Sequence, residues 1–378
     1  GSEMCIRDRH GITGVLENNM MDMSLMALSH FPMLNTLELT PAMYLGSCRY
    51  KLPDYTEDPA PYKQIFERFE EYGISAFFYI GGNDSMDTVL KLSNYAKSIQ
   101  SDVKIIGVPK TIDNDLFATD HTPGFGSAAK YVASTVLEIA HDAYIYKIPA
   151  VIIIEIMGRD AGWLTASSAL ARTTYSQAPD LIYLPEVAFS KEQFLADVKD
   201  KLTKQKTVIV AVSEGIHDAD GNYISSDSAV ADKFGHAQLS GAGKALEYLV
   251  RDEIGVKVRS IELNVLQRCA GHIASRTDIT ESFSLGQAAV KYAAEGKTGI
   301  MAAIERISND PYQWVIKSAD VADIANEAKS VPVEWINEAG NDVTDEMIDY
   351  LRPLIIGEVS LQYKDGLPVY LPVDHLLH

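Results

Sequence analysis

The 378-residue chain has only three cysteines, Cys5, Cys48 and Cys269, and they form no C-x-x-C pair. Such scattered thiols argue against a disulfide framework or a zinc site and fit a reducing cytoplasm. No stretch reaches about 18 consecutive apolar residues, so no transmembrane helix is expected. Basic residues are scarce too: 33 Lys+Arg against 52 Asp+Glu give a formal net charge of −19. Phosphate backbones need a basic face, so this balance argues against nucleic-acid binding. It leaves room for a small anionic substrate, because a few local cations can outweigh a distant negative surface. The nine histidines show no H-E-x-x-H or comparable ligand spacing. Internal repeats and low-complexity tracts are absent.

What is present suits a large enzyme-like core. Hydrophobic residues make up 47%, and the length implies one large α/β unit or two lobes. "GSEMCIRDR" at residues 1–9 is charged and aperiodic and reads as a non-native lead-in. "MMDMSLMALS" is Met-rich but short and carries Asp22, so it reads as a packing helix and not as a signal sequence. Strands are predicted at "SAFFYI" (Ser75–Ile80), "VKIIGV" (Val103–Val108), "AVIIIEIMG" (Ala150–Gly158), "LIYLPE", "TVIVAVSEG" (Thr207–Gly215) and "KVRSIEL". The first of these is expected to be buried. Helical spacing appears in "SMDTVLKLSNYAKSI", "GSAAKYVASTVLEIAHDAYIY", "AGWLTASSALA" and "LSGAGKALEYLVRDEIG". Ser190 and Gln193 fit a capping box ahead of "FLADVKDKLTK". "DYTEDPAPY" with its prolines reads as a surface loop. The last fifty residues, with the turn signal "DGLP", read as a packed extension without chemistry of their own.

This alternation predicts a mostly parallel sheet with helices on both faces. In such sheets ligands bind at the carboxyl ends of the strands. Four strand ends carry polar clusters: Asn83, Asp84 and Ser85; Lys110, Thr111, Asp113 and Asp115; Gly158, Arg159 and Asp160; Ser213 and Glu214. Their coincidence outweighs any one motif and points to a shared cleft.

Each motif also has a plainer reading. Gly81-Gly82 in "IGGNDS" either lets a backbone approach a phosphate or makes a tight turn. "SGAGKA" fails the Walker pattern, with no Gly five residues before Gly243 and no Ser/Thr after Lys244, and reads as a helix start. In "VPKTIDNDL" one carboxylate suits proton abstraction, the other suits Mg²⁺, and Lys110 suits phosphoryl oxygens. The same residues also suit a polar turn. Arg159 offers a forked donor set for phosphate, or a surface cap. Arg259 and Arg268, nine apart, are anion contacts or two solvated arginines. His272 in "CAGHIAS" reads as structural.

Taken in order, "LGSCR", "IGGNDS", "PKTIDND", "TDHTPGFGSAA", "EIMGR", "PEV", "SEG" and "VRSIELNVLQR" resemble the phosphofructokinase family from about Gly11 to Arg268. The resemblance implies two lobes, each with a mostly parallel sheet sandwiched by helices. It implies phosphoryl transfer to the 1-hydroxyl of fructose 6-phosphate, a reaction of glycolysis, with Mg²⁺ as cofactor. Asp113 is then the general base, with Lys110 and Arg159 catalytic beside it. Thr111 and Asp115 position phosphate and metal, and Asn83 stands where the family often has a metal-binding Asp. Met157, Gly158, Glu214 and Arg268 line the sugar-phosphate site, and Arg259 reaches a neighbouring subunit, so a homodimer or homotetramer is expected. Gly81, Gly82, Asp84, Ser85 and Arg49 fall on the donor side. ATP-dependent members usually carry glycine at the positions of Asp84 and Lys110, whereas pyrophosphate-dependent members resemble this chain. An Asp in the glycine loop crowds and repels a nucleotide α-phosphate, so pyrophosphate is the expected donor.

The implied division is a donor lobe at 10–126 with 268–330 returning to it, a sugar-phosphate lobe at 127–267 and an extension at 331–378. The family's first strand and "GGDxPG"-like donor loop have no counterpart before "HGITGVLE", and Ala150 stands where a basic residue often precedes Arg159 by nine. Two alternatives follow: an ATP-dependent enzyme of the same fold, or a catalytically silent sugar-phosphate-binding subunit.

Overall fold

The computed structural model describes residues 34–41, 51–224, 241–325 and 327–371, with short strand segments at 11–13, 16–17, 20–21, 24–26, 230–231 and 237–238. The principal elements begin with α1 (Ala60–Glu71), β1 (Ala76–Gly81), α2 (Asn83–Ser98), β2 (Lys104–Pro109) and α3 (Phe125–Tyr144). Next come β3 (Ala150–Ile156), α4 (Trp163–Ser167), β4 (Leu181–Tyr183), α5 (Lys191–Lys204), β5 (Thr207–Ser213), α6 (Ala242–Glu253) and β6 (Lys257–Glu262). The chain continues with α7 (Arg276–Ala294), β7 (Ile300–Asn309), β8 (Tyr312–Asp320) and α8 (Asp345–Leu351).

These strands build two four-stranded sheets, ordered β8-β7-β2-β1 and β6-β3-β5-β4. The second is parallel throughout, with Ala150 to Ile156 in register with Thr207 to Ser213. In the first, β1 and β2 run parallel from Ala76↔Lys104 to Gly81↔Pro109, and β7 joins β2 in parallel. Only β7 and β8 form an antiparallel hairpin there. Every residue of β5 is buried, as expected when helices cover both faces of a β-branched strand. Phe69, Val89 and Leu92 pack one face of the first sheet, and Leu285 and Ala289 of α7 pack the other. In the second sheet α3 covers Ile154 and Ile209, while Phe194 and Leu246 lie against Val208 and Val210.

Several local expectations change. β1 is the edge of its sheet among the described residues and is mostly half-buried, not buried, with no described strand on its outer side. Phe77 and Tyr79 nevertheless join one core cluster and Phe78 and Ile80 the other, as alternation dictates. The described residues of the Met-rich stretch are strand and not the expected helix: Met20–Met21 pairs with Leu16–Glu17, and Ser24–Met26 with Gly11–Thr13. Pro61 lies in the first turn of α1, where its missing N–H costs nothing, so the expected loop is shorter. The capping box at α5 is half formed. Ser190 Oγ accepts from Gln193 N at 3.2 Å, but the Gln193 side chain donates to Asp197.

The C-terminal segment packs into the core. Val331, Ile336, Met347, Leu351 and Leu354 share a cluster with α3 and β3. Near the end, Asp365 and Gly366 take φ of 53° and 84° between paired Lys364 and Leu367, the left-handed pair that a tight hairpin turn demands.

Candidate active site

Both sheets deliver their polar strand ends to one place. Lys110 follows β2 directly, and its N–H donates to Gly81 O at 3.0 Å, which ties the two loops together. Thr111 is pinned by the Thr122 hydroxyl on its carbonyl at 2.7 Å and by a bridge to Gly124. Its own hydroxyl donates to Asp113 Oδ2 and accepts from Asp113 N, each at 3.1 Å. Thr111 therefore holds Asp113.

Burial pushes the Asp113 pKa up, while the Thr111 hydroxyl and the charges of Lys110, Arg159 and Arg268 pull against it. Burial lowers the Lys110 ammonium, opposed by Asp113 and reinforced by Arg268. Asp115 is pushed up to about 6 by burial and by the Asp113 charge, against the Asn83 amide, which donates to its Oδ2 at 2.9 Å. Two carboxylates crowded at one site resist joint ionisation, an environment that favours a proton or a cation.

The second sheet supplies the facing wall. Gly158 takes φ of +141°, and a Cβ there would lie 2.5 Å from Ala161 O. A Cβ on Gly215 would meet Arg159 O at 1.7 Å. These glycines let the loops after β3 and β5 close on each other, with the Ser213 hydroxyl donating to Gly158 O. The Gly158 N–H donates to Glu214 Oε1 at 3.3 Å. Burial still pushes Glu214 up to about 7; Asp113 and Glu155 add to the rise and Arg159 opposes it. The Arg159 Nε is buried with no hydrogen-bond partner among the described residues, a state that an anion would relieve. Met157 packs on the core behind it, and Arg268 ends a short 3-10 turn, Asn264–Arg268.

The residues expected on the donor side gather at the start of α2. Gly82 is its N-cap, with Asn83, Asp84 and Ser85 in the first turn and Asp84 exposed. A Cβ on Gly81 would lie 2.7 Å from Ser85 Cβ, so the turn tolerates only glycine as built. Asn83 Oδ1 is buried and unpartnered among the described residues. Asn83 Oδ1 and the neighbouring Asp115 carboxylate are oxygen donors of the kind Mg²⁺ takes, with water and phosphate free to complete such a shell. The described residues hold no group of three His, Cys, Asp or Glu side chains able to bind a metal.

Two sequence candidates lie elsewhere. Arg259 sits exposed on the edge strand β6 and lines a small cavity with Asp142, Tyr146 and Lys257. Arg49 falls outside the described residues. The "SGAGKA" amides are already taken: buried Glu155 accepts from Gly241 N at 3.1 Å and Gly243 N at 2.7 Å. A carboxylate thus satisfies that helix start from inside.

Sequence reasoning missed the layer behind the aspartates. Lys329, whose ammonium burial lowers to about 8 against the charges of Asp120 and Asp115, reaches the same loop from the C-terminal segment. Buried His121 lies between Asp120, at 2.7 Å, and Glu281, at 2.6 Å. Burial pulls the His121 pKa down, but these hydrogen bonds outweigh it and hold it above its ordinary value. His121 lies inside the landmark "TDHTPGFGSAA" beside its partner Asp120, but Glu281 reaches it only through tertiary contact, and Lys329 sits in no motif and finds all its partners that way.

A phosphofructokinase family model matches residues 4–293. The pyrophosphate–fructose 6-phosphate 1-phosphotransferase of Xanthomonas campestris pv. campestris is 42% identical over 371 residues, covering 97% of this chain and 88% of that relative. The protein of the same name from Methylococcus capsulatus is 39% identical over 365 residues, covering 96% and 86%. The crystal structure of a pyrophosphate-dependent phosphofructokinase from Nitrosospira multiformis matches with a TM-score of 0.83 at 38% identity, covering 92% of this chain and 83% of that one. The matches extend across both sheets, and the chain belongs to the phosphofructokinase family.

Proposed function

We propose that this chain moves a phosphoryl group from pyrophosphate to the 1-hydroxyl of fructose 6-phosphate, giving fructose 1,6-bisphosphate and orthophosphate. Asp113 takes the hydroxyl proton, the oxygen bonds to the terminal phosphorus, and the P–O–P bond breaks to release phosphate. Lys110, Arg159 and Arg268 are charged groups that act on Asp113 against the burial that raises its pKa, and the same cluster suits phosphoryl oxygens. Met157, Gly158 and Glu214 wall the sugar side, with Thr111 steadying the base. Asn83 and Asp115 would hold Mg²⁺, which supplies charge neutralisation for the phosphates when bound. Bond energies on the two sides are close, so the reaction runs in both directions.

One observation carries the donor assignment: Lys110 lies at the base itself, while Asp84 occupies the first turn of the glycine-loop helix. Compact, highly charged pyrophosphate gains from the lysine, and a nucleotide meets the aspartate. The two lobes are read as 10–126 with 268–330, and 127–267, with 331–378 as an extension. The membership of β7 and β8 in the sheet of β1 and β2 supports that division. Arg259, exposed beside half-exposed Tyr146 and Ile148, supports a site shared between copies in a homodimer or homotetramer. Among the described residues no helix is long and apolar enough to cross a membrane.

The test is an assay of the purified protein with fructose 6-phosphate, Mg²⁺ and either pyrophosphate or ATP. Turnover with pyrophosphate is expected, and Asp113→Asn should lower kcat by about 10²- to 10⁴-fold. Robust turnover with ATP and none with pyrophosphate would overturn the donor, and sugar-phosphate binding without turnover by either donor would leave a silent binding subunit.

A further inference from the structure

Asn114 lies between the two aspartates with φ of 57°, fully buried. Side-chain-bearing residues seldom adopt that conformation, and Asn does so at less cost than most. Both ends of its amide are engaged, and by protein groups. Nδ2 donates to Tyr350 Oη at 2.9 Å, and Oδ1 accepts from Thr122 N at 3.1 Å and from Lys329 Nζ at 3.4 Å.

Tyr350 and Lys329 both come from the C-terminal part of the chain, more than 200 residues away in sequence. The Tyr350 hydroxyl donates to Asp120 O at 2.7 Å. The Lys329 ammonium also donates to Thr119 O at 3.2 Å and Asp120 O at 2.5 Å, and it lies 5.2 Å from the centroid of the Trp163 ring. The Lys329 backbone bridges the two lobes' loops. Its N–H donates to Asp115 O at 2.8 Å, and its carbonyl accepts from Trp163 Nε1 at 2.8 Å. Trp163 opens α4, four residues after Arg159.

Burying an ammonium is costly, and an apolar side chain of similar volume often serves stability as well or better. What the apolar residue cannot do is hold several named carbonyls at fixed places. The flanking aspartates turn away from this knot: Asp115 to Asn83, and Asp113 to Thr111 and the cationic cluster. We infer that Lys329 and Tyr350 are positioning residues that grip Asn114, so that Asp113 and Asp115 face the cleft and stay in register with the Arg159 loop. The inference rests on the phosphoryl-transfer reading for its kinetic consequence, but its structural consequence is independent of that reading.

Tyr350→Phe removes one oxygen and keeps the ring tilted against Trp163 and Trp335. Asn114→Gly keeps positive φ accessible and removes the gripped amide. Lys329→Met removes the charge, and the first two variants carry the test if Lys329→Met does not fold. Each is assayed for kcat and for KM of both substrates, and amide hydrogen exchange is followed across residues 111–116. Small misplacements of reacting groups act on the chemical step, so kcat should fall about tenfold with each KM within about twofold of wild type. Exchange at 113–116 should quicken while that of β5 is unchanged. Retention of kcat in Tyr350→Phe and Asn114→Gly, or a rise in KM alone, overturns the inference. Exchange decides by itself if the wild type proves inactive with pyrophosphate: loop protection equal to wild type in Tyr350→Phe overturns the grip, whereas an inactive wild type with a loosened variant loop faults only the reaction assignment.

Discussion

Asn83 donates its side-chain amide to Asp115 over 2.9 Å, and its carbonyl oxygen is buried beside that contact with no partner among the described residues. The pair joins the start of α2 to the loop after β2. An amide neutralises part of the Asp115 charge, but it brings no charge of its own to a cation.

Asn83→Asp should therefore sharpen metal dependence. The variant loses the donor to Asp115 and places a third carboxylate near Asp113 and Asp115. Hard cations bind more tightly as ligand charge rises, so the Mg²⁺ concentration for half-maximal rate should fall by about 3- to 10-fold. A Mg²⁺ titration of the initial rate checks this. A higher Mg²⁺ requirement would remove Asn83 from the metal site.

Donor choice should turn on two side chains. Lys110→Gly removes a cation aimed at the phosphoryl group, and the loss of one such preorganised group costs about 10²- to 10³-fold in kcat. Asp84→Gly alone leaves pyrophosphate use largely intact. The double variant Asp84→Gly/Lys110→Gly should show measurable ATP-dependent turnover and strongly reduced turnover with pyrophosphate. An unchanged donor ratio in the double variant would place the discrimination elsewhere.

The strand ends were legible because each ends a β-branched or aromatic run at a glycine or proline. Gly81, Pro109, Gly158 and Gly215 punctuate four strands in the sequence, and charged groups beside them come close enough to act on one another. Alternation of strand and helix was likewise readable from periodicity. What could not be read is carried by contacts far apart in the chain. Lys329 stands alone in a polar stretch, and only the fold brings it to Asn114. β1 reads as a buried strand because Phe77 and Phe78 are apolar, and sheet order alone makes it an edge among the described residues. Glu155 reads as a lone charge in an Ile-rich strand until Gly241 and Gly243 supply its amide donors.

The ionisation of Glu214 should leave a mark on stability. Its pKa is pushed up to about 7 in the folded protein by burial, from an ordinary value of 4.5. A carboxyl with a raised folded pKa binds its proton more tightly in the native state than in the unfolded one, so the native state holds more protons between those two values. Stability from this group is then present below about 4.5 and is lost as pH rises towards 7. Glutamine mimics the protonated form and cannot ionise. Glu214→Gln should match wild type near pH 4.5 and exceed it above pH 7 by an amount on the order of 3 kcal/mol. Thermal melts of the substrate-free protein from pH 5 to 8 test this through the divergence of the two curves. If the curves stay parallel, Glu214 is ionised in the folded protein at no cost, and its carboxylate is better solvated or better paired than the Gly158 contact implies.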